Sequence, residues 1–256
     1  MTARLTVLGS CSGTEPFPPR HHTSWTLEKD GCLYWFDAGE NCSYSAYSRG
    51  MDLLRSRAIF ISHAHLDHTG GLPHLLWVMA KVAGLRKEQN PHPAIYTPDM
   101  EQAEHFVAAL NHTEFGKETA STPIRPVTDG KIFDDGRIQV FAYHNHHLGT
   151  PEGGIWRSYS YRIETGEKKI VYSGDVAGLD DLGDLPHDAD FLLMESGHHD
   201  PPEICRKLRD TGFAGQLVLL HHGRKILSDP DFYAAECGKI LDGRVKIAED
   251  GTLLKI

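Results

Sequence analysis

Residues 58–61, Ala-Ile-Phe-Ile, form an apolar run that empties into Ser62-His63-Ala64-His65-Leu66-Asp67-His68. A strand-length run without alternation is the pattern of a strand buried on both faces, which belongs in an α/β sheet rather than a one-sided antiparallel one. Leu72 to Lys87 then reads as a helix, with Pro73 in its first turn and Leu75, Leu76, Met79 and Val82 on one side. In open α/β sheets ligands collect at the carboxyl ends of strands, so the histidine-rich string sits where chemistry is expected.

The remainder alternates in the same way. Leu5–Leu8, Thr23–Leu27 and Cys32–Phe36 are of strand length and bounded by turn formers. Ala94–Tyr96 reads as a strand, Met100–Leu110 as a helix, and Asp135-Gly136 as the turn of a hairpin leading into a strand over Ile138–Tyr143. Tyr159–Glu164, Lys169–Ser173, Phe191–Met194 and Leu217–Leu220 read as strands, and Pro202–Leu208 and Asp231–Leu241 as helices. Val245–Ile256 is expected to close the chain as a hairpin around Asp250-Gly251. No composition shift, charge block or repeat marks a boundary, so residues 1–256 are read as a single domain.

Composition narrows the function. Lys and Arg number 26 against 35 Asp and Glu, a formal charge of -9, which disfavours general binding to nucleic-acid backbones. No apolar run approaches the ~20 residues of a membrane helix. Met1–Arg4 leads directly into a strand pattern rather than a signal peptide. Five cysteines form no CxxC pair and no even framework, so a reducing cytoplasm is expected. The 17 histidines are the excess that needs an explanation.

Four strand ends hold it. The run at Ile59 ends in His63, His65, Asp67 and His68, and the run at Ile138 ends in His146-His147. Val171-Tyr172 leads to Ser173-Gly174-Asp175, and Leu219-Leu220 to His221-His222. Imidazole and carboxylate together suit zinc or a similar divalent ion. His63 and His65 are two apart, so in extended chain they share a side and can grip one ion, while Asp67 and His68 can address a second. Two ions are therefore expected: His63, His65 and His147 on one, Asp67, His68 and His221 on the other, Asp175 between. Water bridging two such ions would be a hydroxide near neutral pH. Gly70-Gly71 leaves room for the turn. Scattered His92, His105, His112 and His187 are read as solvated surface, and His74 as packing or support.

At these residues the sequence resembles the metallo-β-lactamase fold superfamily, and within it the ribonuclease Z and phosphodiesterase branch. His63-Ala64-His65-Leu66-Asp67-His68 resembles its HxHxDH motif, and Leu8-Gly9-Ser10-Cys11-Ser12-Gly13 its opening strand and glycine turn. Phe36-Asp37-Ala38-Gly39-Glu40 is similar to its second strand, and Val171–Asp175 to its bridging-aspartate motif. Leu192–Glu195 and Leu217–His221 are similar to its last two. The resemblance implies a four-layer αβ/βα sandwich, two mixed β-sheets flanked by helices, with two divalent metal ions, Zn2+ before Mn2+ or Fe. It also implies a general-acid histidine 22 residues before the last ligand, which is His199, beside His198, with Glu195 as its orienting carboxylate. Asp67 counts among both ligands and catalytic residues, and His147 is the third-motif ligand with His146 one residue away. A homodimer is also implied.

This sequence departs from tRNA-processing members at Leu66, where they carry Gly, and it lacks their Lys/Arg-rich arm. The expectation is a binuclear hydrolase acting on a small or cyclic phosphodiester through a metal-bridging hydroxide. A ribonuclease Z-type tRNA 3′ endonuclease, or a lactone or thioester hydrolase, is the alternative. A metal-stabilised scaffold without turnover is the non-enzymatic one. A redox di-iron site is disfavoured because related oxygen-reducing members carry Glu where this chain has His65. His21, His22, Trp156 and Arg157 are the candidate substrate contacts, the last two in an insertion over 150–157.

Overall fold

The computed structural model describes residues 3–15, 17–151 and 153–256. Six strands come first: β1 Arg4–Gly9, β2 Ser24–Lys29, β3 Cys32–Phe36, β4 Ser56–Phe60, β5 Ala94–Thr97 and β6 Ile124–Pro126. Then follow β7 Gly130–Asp134, β8 Gln139–His144, β9 Tyr159–Glu164, β10 Lys169–Tyr172, β11 Phe191–Ser196, β12 Gln216–His222, β13 Val245–Ile247 and β14 Leu253–Lys255. Helices α1 Cys42–Ser48, α2 Leu66–Thr69, α3 Leu72–Arg86, α4 Met100–Leu110 and α5 Gly116–Thr119 lie among the first group of strands. Helices α6 Pro201–Asp210, α7 Arg224–Ser228 and α8 Pro230–Ile240 lie among the second. The backbone gathers into two compact units, one of Met1–Gly9, Pro18–Val127 and Asp250–Ile256, the other of Ser10–Phe17 and Thr128–Glu249.

The first unit holds a mixed seven-stranded sheet in the order β14-β1-β2-β3-β4-β5-β6. β14, β1, β2 and β3 pair antiparallel and β3 to β6 parallel. Alternation decides what each face carries. Trp35, Ile59 and Ile61 pack with Leu72, Leu75, Leu76 and Met79 of α3. The opposite parity forms an aromatic file across four strands: Trp25 on Phe36 (4.1 Å between centroids), Phe36 on Phe60 (5.0 Å), Phe60 on Tyr96 (5.1 Å). Ile59 and Phe60 are both fully buried, as the unbroken apolar run requires.

The second unit holds the other mixed sheet, in the order β13-β12-β11-β10-β9-β8-β7. β7 to β10 pair antiparallel, whereas β10 to β13 are parallel. Val171, Leu192, Met194, Leu217 and Leu219 form a core with Ile204, Cys205 and Leu208 of α6 and Cys237 of α8. Because β8 and β10 both run against β9, the strands β8, β10, β11 and β12 point the same way and end on one edge.

One expectation fails. Val245–Ile256 is not a hairpin: β13 pairs parallel with β12, and β14 pairs antiparallel with β1. Asp250-Gly251 is a local turn signal, and the segments on its two sides find better partners in different sheets. Helix α1 was not expected either, and its sequence, Cys-Ser-Tyr-Ser-Ala-Tyr-Ser, carries little helix propensity.

Candidate metal centre

In the first unit, parallel pairing of β3 with β4 brings Asp37, just past β3, beside the string that follows β4. Asp37 adopts a left-handed backbone (φ 55) and is fully buried. Its carboxylate accepts from the Ser62 amide (2.7 Å), the Ser62 hydroxyl (2.8 Å) and His68 Nδ1 (2.7 Å). A carboxylate that takes the Nδ1 proton fixes the tautomer, so His68 presents Nε2 as a lone-pair nitrogen. That Nε2 lies 3.4 Å from Asp67 Oδ2. The buried His63 ring stands 4.1 Å from that of His68 and 4.6 Å from that of His65 between centroids. The four side chains of the HxHxDH string thus gather at one strand end. Gly71 is what lets the chain turn there: a Cβ on it would stand 2.2 Å from the Gly39 carbonyl oxygen.

In the second unit the shared edge collects residues far apart in sequence. Asn145, buried after β8, accepts from the His147 amide (3.1 Å) and sets that turn. Asp175 follows β10 and is 2% exposed. Around its Oδ2 stand His221 Nε2 at 3.3 Å, His147 Nε2 at 3.7 Å and His198 Nδ1 at 3.9 Å. His146, by contrast, turns its ring to Asp181 (2.6 Å).

His221 owes its direction to a bulge. Leu220 pairs with Glu195 and His222 with Ser196, which leaves His221 as the extra residue, at φ 52. His222 is a scaffold residue, its two ring nitrogens engaged by Ser196 Oγ (2.9 Å) and the Ala248 carbonyl (2.8 Å).

Glu195 organises the end of β11. Its buried carboxylate accepts from the amides of Gly197 (2.9 Å) and His198 (3.0 Å) and from His198 Nδ1 (3.0 Å), and stands 3.2 Å from His199 Nε2. Burial alone would raise its pKa, but hydrogen bonds from His198, His199 and His221 outweigh burial and hold it far below the usual carboxylate range. The same carboxylate raises both His198 and His199 above an ordinary histidine. The two differ in access. His199 directs Nε2 at the Val176 carbonyl (3.0 Å) and is 21% exposed. His198 is 45% exposed, stacked on His221 (5.5 Å) and near His147 (5.1 Å). His198 is therefore the more accessible of the two rings.

Each of the four candidate substrate contacts has a partner in the structure. His21 binds Asp250 through Nδ1 (2.8 Å) and Asn41 through Nε2 (2.8 Å), which uses both ring nitrogens. The His22 amide faces Glu40 (3.4 Å), Trp156 stacks on His144 (4.0 Å), and Arg157 donates to the Leu148 carbonyl (3.0 Å). His74 bonds Ser43 (2.7 Å), a supporting role. Sequence reasoning missed Asp37 and Asp181 as orienting carboxylates. Asp37 stands in a strand-end Asp-Ala-Gly that reads as a turn, and nothing in the sequence ties Asp181 to His146.

A family model described as a beta-lactamase superfamily domain matches residues 36–222. The chain belongs to the beta-lactamase superfamily. This superfamily member is 43% identical over 83 residues to ribonuclease Z of Treponema pallidum (strain Nichols), a match covering 32% of the chain and only 26% of that relative. Ribonuclease Z of Natronomonas pharaonis aligns over 100% of the chain and 98% of its own length at 23% identity. That alignment runs to 312 residues against a chain of 256, so at least 56 positions have no counterpart here. The metallo-beta-lactamase fold protein YhfI from Bacillus subtilis shares the fold, with a TM-score of 0.76 at 19% identity and 100% of both chains covered. Two mixed sheets of seven strands flanked by helices are thus the superfamily fold. No helix among the described residues is long and apolar enough to cross a membrane.

The donor chemistry of this superfamily member fits a divalent metal. In the second unit Asp175 Oδ2 has His221 Nε2 at 3.3 Å and His147 Nε2 at 3.7 Å, so two imidazoles and a buried carboxylate converge. In the first, a buried carboxylate sets the tautomer of His68. Imidazole with carboxylate is a donor set for Zn, Mn or Fe rather than for a soft, thiolate-seeking ion.

Proposed function

We propose that the chain is a metal-dependent hydrolase of ester bonds, one hydrolase domain over residues 1–256, acting on a small or cyclic phosphodiester. The observation that carries this reading is the edge of the second sheet, where one buried carboxylate, Asp175, has three imidazoles within 4 Å. His63, His65, Asp67, His68, His147, Asp175 and His221 would hold two divalent ions, Zn2+ before Mn2+ or Fe. When bound, such a pair supplies Lewis acidity and a nucleophile from water at neutral pH.

The chain's own residues supply the rest. Asp37 holds His68 in its ligand tautomer. Glu195 holds the His198 ring and keeps its proton on it, which leaves His198 as the group to protonate a departing alkoxide. His199 has its Nε2 on a backbone carbonyl and is the weaker candidate for that role. Five buried cysteines suit a reducing compartment, and we place the protein in the cytoplasm.

The test is metal analysis of the purified chain together with turnover of bis(p-nitrophenyl) phosphate, a 2′,3′-cyclic nucleotide, a lactone and a thioester. Two divalent ions per chain and phosphodiester turnover that Asp67→Ala abolishes are expected. Preference for the lactone or thioester would overturn the substrate class; absence of metal would overturn the whole reading.

A second reading, cleavage of a tRNA precursor at its 3′ end, is favoured by the ribonuclease Z matches. Against it stand the charge of -9 and the missing positions of the full-length alignment. Binding of a tRNA precursor that weakens steeply as salt rises would support it. No binding at low salt would remove it.

A further inference from the structure

Asp181 lies outside the expected ligand set, in the 3₁₀ turn Leu179–Leu182, with a side chain only 9% exposed. Its Oδ2 accepts from the His146 amide (3.1 Å) and the Ala177 amide (2.9 Å), and its Oδ1 from His146 Nδ1 (2.6 Å). One carboxylate therefore fastens the backbone one residue before His147 to the backbone two residues after Asp175. A turn-capping role does not account for this. The Asp181 amide already closes its own turn on the Gly178 carbonyl (3.1 Å), and two of the three donors come from a strand end 35 residues away. Burial would raise the pKa of Asp181, but the bonds from His146 and Ala177 hold it below the usual carboxylate range.

We propose that Asp181 is a positioning residue that fixes His147 and Asp175 relative to each other as donors to one metal centre. This rests on the reading of His147 and Asp175 as ligands. Asn145, Ser160 and the Ser160–Ser173 bond (2.6 Å) hold the roots of the loops after β8 and β10, while Arg157 and His199 hold Leu148 and Val176 each to a different partner. Asp181 adds the tie at the tips, where donor separation is set. Removing partners that orient ligands commonly costs about 10–100-fold in metal affinity.

The experiment is equilibrium Zn2+ titration of the metal-stripped full chain against a chromophoric chelator. It is run where circular dichroism shows every variant folded, with the Co2+ absorption spectrum as a second readout. Asp181→Ala is expected to weaken metal binding by about 10–100-fold and to alter the Co2+ spectrum. Asp181→Asn is expected to stay close to wild type. Its carbonyl can accept from both amides, and its NH2 can donate to the other tautomer of His146. A kcat loss in Asp181→Ala larger than any change in KM is expected alongside. Wild-type affinity and spectrum in Asp181→Ala, or a fall in Asp181→Asn as deep as in Asp181→Ala, would overturn the positioning role. The underlying reading fails differently: wild type and Asp175→Ala would then bind Zn2+ alike.

Discussion

In the first unit the metal-competent side chains lie within six consecutive residues, His63 to His68, whereas in the second they come from four strand ends between His147 and His221. The compact group needs a local turn, a glycine where backbones nearly touch, and one buried carboxylate, Asp37, to orient it. The dispersed group needs a sheet whose strands β8, β10, β11 and β12 run the same way. It also needs side chains that hold each loop end: Asn145 under His147, Glu195 under His198, Asp181 across to Ala177. The difference teaches where each half is vulnerable. One short run of sequence supplies the first group's donors, and the register of four strands assembles the second's.

That contrast can be broken by experiment. The largest effect is expected at the Glu195 turn. His198→Ala should lower kcat for a diester with a poor leaving group by about 10²–10⁴-fold, the ordinary range for a positioned acid, with metal content unchanged. His199→Ala should fall well short of that, and equal losses in steady-state kinetics would erase the distinction drawn between the neighbours.

Next comes Asp37, the buried carboxylate behind His68. Asp37→Ala should weaken metal binding by about 10–100-fold in chelator competition, because His68 loses the acceptor that fixes its tautomer. An unchanged affinity would mean that the compact group orients itself. The smallest effect is expected from crowding. A Cβ on Gly197 would meet His221 Nδ1 at 2.8 Å and Ser12 Cβ at 3.0 Å, so Gly197→Ala should cost on the order of 1 kcal/mol in denaturant unfolding. No loss would show that the end of β11 tolerates displacement.

The same contrast explains what the sequence disclosed. Met100–Leu110 and Tyr159–Glu164 were legible to the residue, because a capping Asp99 and a run of β-formers punctuate them locally. The HxHxDH string was legible for the same reason. The end of the chain was not, since an Asp-Gly turn says nothing about whether its two arms prefer each other or different sheets. Asp181 was invisible because His146, which supplies two of its three donors, lies 35 residues away. His198 and His199 could not be separated by counting, because spacing fixes a position along a chain but not which ring a carbonyl has already engaged.

The extra residue in β12 makes the choice of histidine a question of strand length. Side chains alternate along a strand, so deleting one residue upstream, between Leu217 and Leu220, would shift the frame by one. His222 would then reach the place His221 holds, and His221 would retreat along the strand. Two chains that differ by such a deletion would carry the same pair of letters and use opposite members of it. An alignment column there records a coordinate along the chain, while the metal would respond to parity.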